Sequence, residues 1–294
     1  MRVLLQCHDP DERLFPLTRP VPLMRFLGKT LLEHQMERCM GSGKRRFVVV
    51  AGPQGMADVE EVCKQLKRFN IKVTTCGGQL NTIDRVLTLW DMALYTWDLF
   101  SIMDRLLDGV QQDIAPAASI HRTATIEGPV LLDDGVQVME NAVVKGPCYI
   151  GKETVIGTGT LVRGGCHIGD GCVIGFGTEV KHSYIGDGCE FHKCYVGDSI
   201  IDDGCSLGAG TITANVRFDG KNIHVRAAGE YVDTGTDKLG VIMGAGCRTG
   251  AGAVIMPGVR VGAHSIIGPN VTLDRDLPPG GAAYSKADYS VSER

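Results

Sequence analysis

Ile150-Gly151-Lys152-Glu153-Thr154-Val155-Ile156-Gly157-Thr158-Gly159-Thr160-Leu161-Val162 puts an aliphatic residue at every sixth position. The spacing continues upstream through Ile120, Ile126, Leu132, Val138 and Val144, and downstream through Ile168, Ile174 and Val180, with no step missed. It resumes as Met243, Thr249, Ile255, Val261, Ile267 and Leu273. A helix repeats at about 3.6 residues and a strand at about 2, so neither fits. A solenoid fits: each flat face takes six residues and turns a corner, and three faces close a triangular coil of about eighteen. The repeated aliphatic then points inward and stacks on its equivalent in the next coil, each contributing roughly 1.5–3 kcal/mol by burial.

The residues between the aliphatics agree. Gly follows them often, as in Ile150-Gly151, Ile156-Gly157, Ile168-Gly169, Ile174-Gly175 and Val261-Gly262. Tight corners need positive φ or close backbone approach, and Gly permits both. The position four after an aliphatic is small: Ala124, Ala142, Cys148, Thr154, Thr160, Cys166, Cys172 and Thr178. In these features the sequence resembles the hexapeptide-repeat acyltransferases. That resemblance implies a left-handed parallel β-helix and a homotrimer. The period gives the solenoid; the left hand comes from the resemblance, because it runs against the usual right-handed crossover.

The chain has 294 residues, enough for two domains, and a net charge of −4, which argues for neither a nucleic acid nor an anionic membrane as partner. Met1-Arg2-Val3-Leu4-Leu5-Gln6 lacks a long apolar region, and no apolar run is long enough to span a bilayer, so a cytoplasmic location is expected. Cys148, Cys166, Cys172, Cys189, Cys205 and Cys247 occupy the small slot of the repeat, and the sequence has no Cys-x-x-Cys pair. They read as small buried thiols, and no metal is expected. No His-x-x-His cluster suggests a catalytic metal either. His8, His34, His121, His167, His182, His224 and His264 show no partner pattern.

Residues 1–110 read as a small α/β domain, 111–283 as the β-helix and 284–294 as a polar tail. Strands are expected at 2–7, 46–51 and 71–75, and helices at about 31–40, 57–69 and 98–107. Thr30-Leu31-Leu32-Glu33 is a capping box at the first helix. Such alternation indicates a parallel α/β layer, with residues 109–118 as the link into the solenoid. Arg13-Leu14-Phe15-Pro16-Leu17-Thr18, Pro20-Val21-Pro22-Leu23 and Gly28-Lys29-Thr30-Leu31-Leu32-Glu33-His34 resemble the opening motif of the sugar-1-phosphate nucleotidyltransferases. That family has a Gly-rich loop ahead of the Arg to hold nucleotide phosphates. Here the place reads Cys7-His8-Asp9-Pro10-Asp11-Glu12, with acids that repel phosphate and a Pro without an N–H. The segment that carries the family's metal-binding Asp is missing as well. The domain therefore reads as a truncated packing or assembly module without nucleotidyl transfer.

Function is expected where the ladder changes, because corners and loops on a rigid frame carry binding groups. After Val180 the steps shorten, at residues 179–183 and 191–195. Leu207-Gly208-Ala209-Gly210-Thr211-Ile212-Thr213-Ala214-Asn215 then leads into a polar insertion, residues 216–240, with the reach to extend toward a neighbouring subunit. Glu179-Val180-Lys181, His192, Tyr195-Val196-Gly197-Asp198-Ser199, residues 208–215 and Phe218-Asp219-Gly220 resemble the acetyltransferase half of bifunctional N-acetylglucosamine-1-phosphate uridyltransferases and their archaeal relatives. The resemblance implies sugar-phosphate binding by Arg163 and Lys181, a general base at His192, substrate and acetyl contacts at Tyr195 and Asn215, and an oxyanion donor at the backbone N–H near Ala209. Neutral imidazole suits an amine that must lose a proton near pH 7. An Arg and a Lys eighteen residues apart stand on equivalent faces of successive coils, where both could meet one dianion.

The expected activity is transfer of acetyl from acetyl-CoA to the amine of an amino-sugar 1-phosphate. A non-catalytic sugar-phosphate or sugar-nucleotide binding protein is the alternative, and a sugar-1-phosphate nucleotidyltransferase a third.

Overall fold

The computed structural model describes residues 3–7, 12–41, 46–52, 56–66, 70–75, 85–86 and 93–286. Residues 8–11 of the acidic stretch and residues 287–294 of the tail lie outside them. From Asp113 onward the chain winds through three parallel sheets of eight, nine and eight short strands, which begin at Asp113–Ile114, Ser119–Ile120 and Thr125–Glu127. Registers repeat every eighteen residues, as in Val130↔Cys148↔Cys166 and Val143↔Leu161↔Glu179. The six-residue ladder is the core: Leu132, Val138, Val144, Ile150, Ile156, Val162, Ile168, Ile174 and Val180 are at most 2% exposed. Ile120 is 36% exposed because its strand ends the second sheet and has a neighbour on one side only. The six cysteines of the small slot are fully buried, each beside the ladder. Gly175 shows why Gly follows the aliphatic: a Cβ there would stand 2.4 Å from the carbonyl oxygen of Phe191 in the next coil.

The ladder does not stop at Val180. It runs on through Ile185, Phe191, Val196, Ile201, Leu207 and Thr213, all completely buried. Phe191 takes an aliphatic's place, and coils shorten to sixteen or seventeen residues, as the pairings Ile168↔Ile185, Ile185↔Ile201 and Phe191↔Leu207 show. Three corners lose a residue and compensate with a non-Gly residue at positive φ: His182 (41°), Lys193 (52°) and Asp198 (47°). Left-handed backbone at such residues costs of order 1 kcal/mol or more, so the surrounding structure must enforce it.

In the N-terminal region, β1 (Val3–Cys7), β2 (Arg46–Ala51), β3 (Asn70–Thr75) and β4 (Arg85–Val86) form a parallel sheet in the order β3-β2-β1-β4. α1 (Leu31–Gly41) starts at the expected capping box: the Thr30 N–H donates to Glu33 Oε2 (2.8 Å) and the Glu33 N–H to Thr30 Oγ1 (3.2 Å). α2 spans Met56–Gln65 and α3 spans Asp98–Leu107. Leu32, Met36, Phe47, Val49 and Val59 make a small core between helices and sheet.

A separate core joins this region to the solenoid. The outward row of the first sheet reads Leu131, Tyr149, His167, Tyr184, Ile200, Ile242 and Arg260, in register on successive coils. Phe26, Leu31, Leu99, Ile102, Met103 and Leu107 bury against it. His167 is stacked between Tyr149 (5.1 Å) and Tyr184 (4.9 Å), and Phe26 packs on the same rings. Burial, then the nearby Arg25 and His34, pushes the His167 pKa down to about 3, so the ring is neutral at pH 7.

The insertion behaves differently from its polar reading. Residues His224–Ala227 and Glu230–Asp233 form a hairpin, and Ile223, Val225, Ala227 and Leu239 are buried in the same joint core. Alternation explains it: Val225 and Ala227 face inward and His224 and Arg226 outward, so one apolar side is available to cover the first sheet. The opposite side is solvent-exposed, with Phe218 fully exposed and Tyr231 76% exposed.

Candidate functional site

The sequence candidates collect at the two ends of one short strand, Tyr195–Gly197 of the third sheet. His192 precedes it, at the corner from the second sheet. The imidazole is exposed and makes no hydrogen bond or ion pair with any described residue. Its backbone is fixed: the His192 N–H donates to Leu207 O (3.1 Å), and His192 O accepts from the Gly210 N–H (3.3 Å). Ala209 lies on the same corner one coil further on. Its carbonyl accepts from the Gly252 N–H (2.8 Å), whereas the N–H of this exposed residue donates to no described group. An imidazole and an unengaged N–H thus sit on adjacent coils of one rigid corner.

The far end of the strand is crowded. Asp198 is 4% exposed and accepts from three side chains. Lys181 Nζ reaches Asp198 Oδ2 (2.8 Å), His182 Nδ1 reaches Oδ1 (3.1 Å), and Asn215 Nδ2 bonds Oδ2. Burial alone would raise the Asp198 pKa; the bonds from His182, Lys181 and Asn215 outweigh it and hold the carboxyl below its ordinary value. His182 also reaches Asp104 Oδ1 of α3 (3.1 Å), and its ring stacks on Phe100 (4.9 Å). Hydrogen bonds to Asp104 and Asp198 raise its pKa to about 9, so it is a cation at neutral pH. Gly197 leaves room for this packing, since a Cβ would stand 2.7 Å from Tyr195 Oη and 3.0 Å from Asn215 Nδ2.

Lys181, Tyr195 and Asn215 therefore form one group, with Arg163 one coil away at the same corner, where its N–H donates to Val180 O (2.8 Å). Arg163 Nη1 is paired with Glu179 (3.1 Å) and Lys181 with Asp198, so each cation already has a carboxylate. His182 and Asp198 were not singled out by sequence. A signal existed: both sit on corners one residue short, where the chain has spent its conformational freedom.

The corner at Lys193 and the strand Tyr195–Gly197 separate His192 from Asp198. Tyr195 lies between them, half-buried on the outward row Val143, Leu161, Glu179, Tyr195, Ile212 and Val254. Among the described residues no group of three or more His, Cys, Asp or Glu side chains is placed to hold a metal ion.

Three regular parallel sheets built on a six-residue repeat make the chain a hexapeptide-repeat β-helix, with a nucleotidyltransferase-like region ahead of the helix. Comparison supports both parts: residues 147–182 and 240–275 match the bacterial transferase hexapeptide (six repeats) family, and residues 11–94 match the nucleotidyl transferase family. The bifunctional protein GlmU of Methanococcus aeolicus is 31% identical over 243 residues, 82% of this chain and 56% of that protein. GlmU of Methanocaldococcus jannaschii is 36% identical over 235 residues, 79% of this chain and 54% of that protein. A bifunctional sugar-1-phosphate nucleotidylyltransferase/acetyltransferase of Sulfurisphaera tokodaii is 37% identical over 103 residues, covering 35% of this chain and 26% of that protein. The chain spans about half the length of the two GlmU relatives.

Proposed function

We propose that the protein transfers acetyl from acetyl-CoA to the amine of an amino-sugar 1-phosphate of the glucosamine 1-phosphate kind. The observation that carries this reading is the corner shared by His192 and Ala209: a free imidazole and a free backbone N–H, fixed one coil apart. The amine nitrogen attacks the thioester carbonyl carbon, and neutral His192 takes the proton it loses. The Ala209 N–H steadies the oxyanion on the tetrahedral carbon. The C–S bond then breaks, acetyl stays on nitrogen, and the thiolate leaves and takes up a proton. Tyr195 and Asn215 orient the sugar along the strand. Its phosphate exchanges for the carboxylate partners of Arg163 and Lys181, both charge-assisted donors suited to a dianion. The half-exposed third sheet, with Ile212 at 42% and the corner residue Phe176 at 64%, suits the wall of a groove between subunits of a homotrimer, where acetyl-CoA would lie.

Thiol release from acetyl-CoA, with and without glucosamine 1-phosphate, tests the reading beside a His192→Ala control. Release that needs both the sugar and His192 supports it; release unaffected by His192→Ala ends the mechanism. The shortened corner that carries His192 favours the second reading, a sugar-phosphate or sugar-nucleotide binding protein. Binding of the sugar phosphate with no thiol release would select it.

A further inference from the structure

Where the hairpin, the last coils and the N-terminal segment meet, two cavities of roughly 580 and 330 Å³ lie on either side of one side chain, Arg226. We propose that they form one ligand groove for a nucleoside diphosphate, with Arg226 on the phosphates and Tyr231 against the base. No residue assigned to acetyl transfer lines it.

Charge points to an anion at Arg226. The other arginines of the groove are satisfied: Arg260 is paired with Asp276 through Nη2 (2.7 Å) and Nε (3.0 Å), and Arg275 with Asp274 (2.9 Å). Arg226 makes no hydrogen bond or ion pair with any described residue, although it borders both cavities. A planar guanidinium with five donors suits bidentate phosphate binding. The carboxylates of Asp274 and Asp276 are taken up by arginines, which leaves no open acidic site for a cation between them. Glu12 on the wall of the larger cavity disfavours phosphate there and keeps it at the divide.

Shape points to a flat ring in the smaller cavity. Tyr231 is paired with Arg226 across the two hairpin strands and is 76% exposed, on the face opposite the buried Val225 and Ala227. Cross-strand partners hold their Cβ atoms about 4.5–5.5 Å apart, so the ring lies within reach of a ligand held at the guanidinium. Pro257, Gly258 and Val259 also line this cavity. The larger one has Phe15, already stacked under Arg260 (4.9 Å), with Leu277 and Pro278 as its apolar wall. Volumes of a few hundred Å³ match small-ligand pockets, which range over roughly 300–1,000 Å³.

Calorimetric titration of UDP, ADP and inorganic pyrophosphate into the full chain tests this. A nucleotide is expected to bind, with about tenfold loss in Arg226→Ala and recovery to within about threefold of wild type in Arg226→Lys. Tyr231→Ala is expected to weaken the nucleotides at least threefold and to leave pyrophosphate unchanged. Lys181→Ala, at the other site, is expected to change none of these, so failure here and failure of the acetyltransferase reading are separable. Both hairpin side chains are exposed, and unchanged melting temperatures confirm folded variants. No nucleotide binding, equal binding by wild type and Arg226→Ala, a Tyr231→Ala effect on pyrophosphate equal to that on nucleotide, or loss in Lys181→Ala would each overturn the assignment.

Discussion

The two ends of the Tyr195–Gly197 strand contrast sharply. At one end His192 and the Ala209 N–H are exposed and uncommitted. At the other, Lys181, His182 and Asn215 all converge on Asp198, and α3 closes over them through Asp104 and Phe100. Uncommitted polar groups on a rigid frame are available for chemistry. Committed ones hold the frame, and here they also fasten the N-terminal region to it. Under the proposed function, the open corner is where bonds are made and the closed corner is where the frame is held and the N-terminal region attached.

The largest effect is expected from the open corner. His192→Ala should lower kcat about 10²–10⁴-fold, the usual contribution of general base catalysis, while stability stays within about 0.5 kcal/mol of wild type. Steady-state thiol release and urea unfolding read the two numbers; a large stability loss would mean that this corner is committed too. The closed corner should behave the other way round. Asp198→Ala leaves two cations beside each other without their shared carboxylate and should cost about 3 kcal/mol in urea unfolding. A loss under about 1 kcal/mol would show that Asp198 is not what holds the corner.

Two histidines on the attachment surface give opposite pH signatures. His182 has a folded pKa raised to about 9, so its contribution is full below its ordinary value near 6.5 and is lost as pH rises through 9. His167 has a folded pKa lowered to about 3, so its contribution is full above 6.5 and is lost as pH falls toward 3. Melting temperature against pH should therefore fall less steeply on the alkaline side in His182→Gln than in wild type. Identical alkaline limbs would sink the assignment of His182 as a charged tie. The smallest effect is expected at Arg163, whose pair with Glu179 is solvent-exposed. Arg163→Ala should cost less than about 1 kcal/mol of stability but raise the KM for the sugar phosphate. An unchanged KM would remove Arg163 from the phosphate site.

The solenoid could be read from sequence because its period is geometric: one inward residue per face, repeated from coil to coil. The same rule hid Phe191, which breaks the aliphatic pattern yet fills the inward slot. The N-terminal helices followed from local signals such as the Thr30–Glu33 capping box. The closed corner could not be read in that way. Its partners come from coils sixteen or seventeen residues apart and from α3, which lies 78 residues before His182. A contact of that kind depends on where a shortened corner points its side chain, and linear spacing does not encode this. The insertion was hidden for a related reason: its polar residues are numerous, but their alternation with Ile223, Val225 and Ala227 decides the burial.

One further set of contacts runs along the first-to-second corner. Asp170, Asp187 and Asp203 stand there on successive coils, and each accepts on Oδ1 the backbone N–H of the coil before: Lys152 (2.9 Å), Asp170 (2.8 Å) and Asp187 (2.9 Å). Their Oδ2 atoms face the N-terminal segment, where Arg25 meets Asp170 (3.0 Å) and Asp187 (3.6 Å), and Arg19 bonds Asp203. The rungs have a fixed spacing, and the two arginines are separated by a fixed stretch of chain. The N-terminal segment therefore measures coils. It docks at one height on the column, and a coil inserted between Asp187 and Asp203 would carry Asp203 away from Arg19 while Arg25 stayed on its rungs. Charge pairing here sets an address along a repeating structure whose inward-facing ladder recurs on every floor.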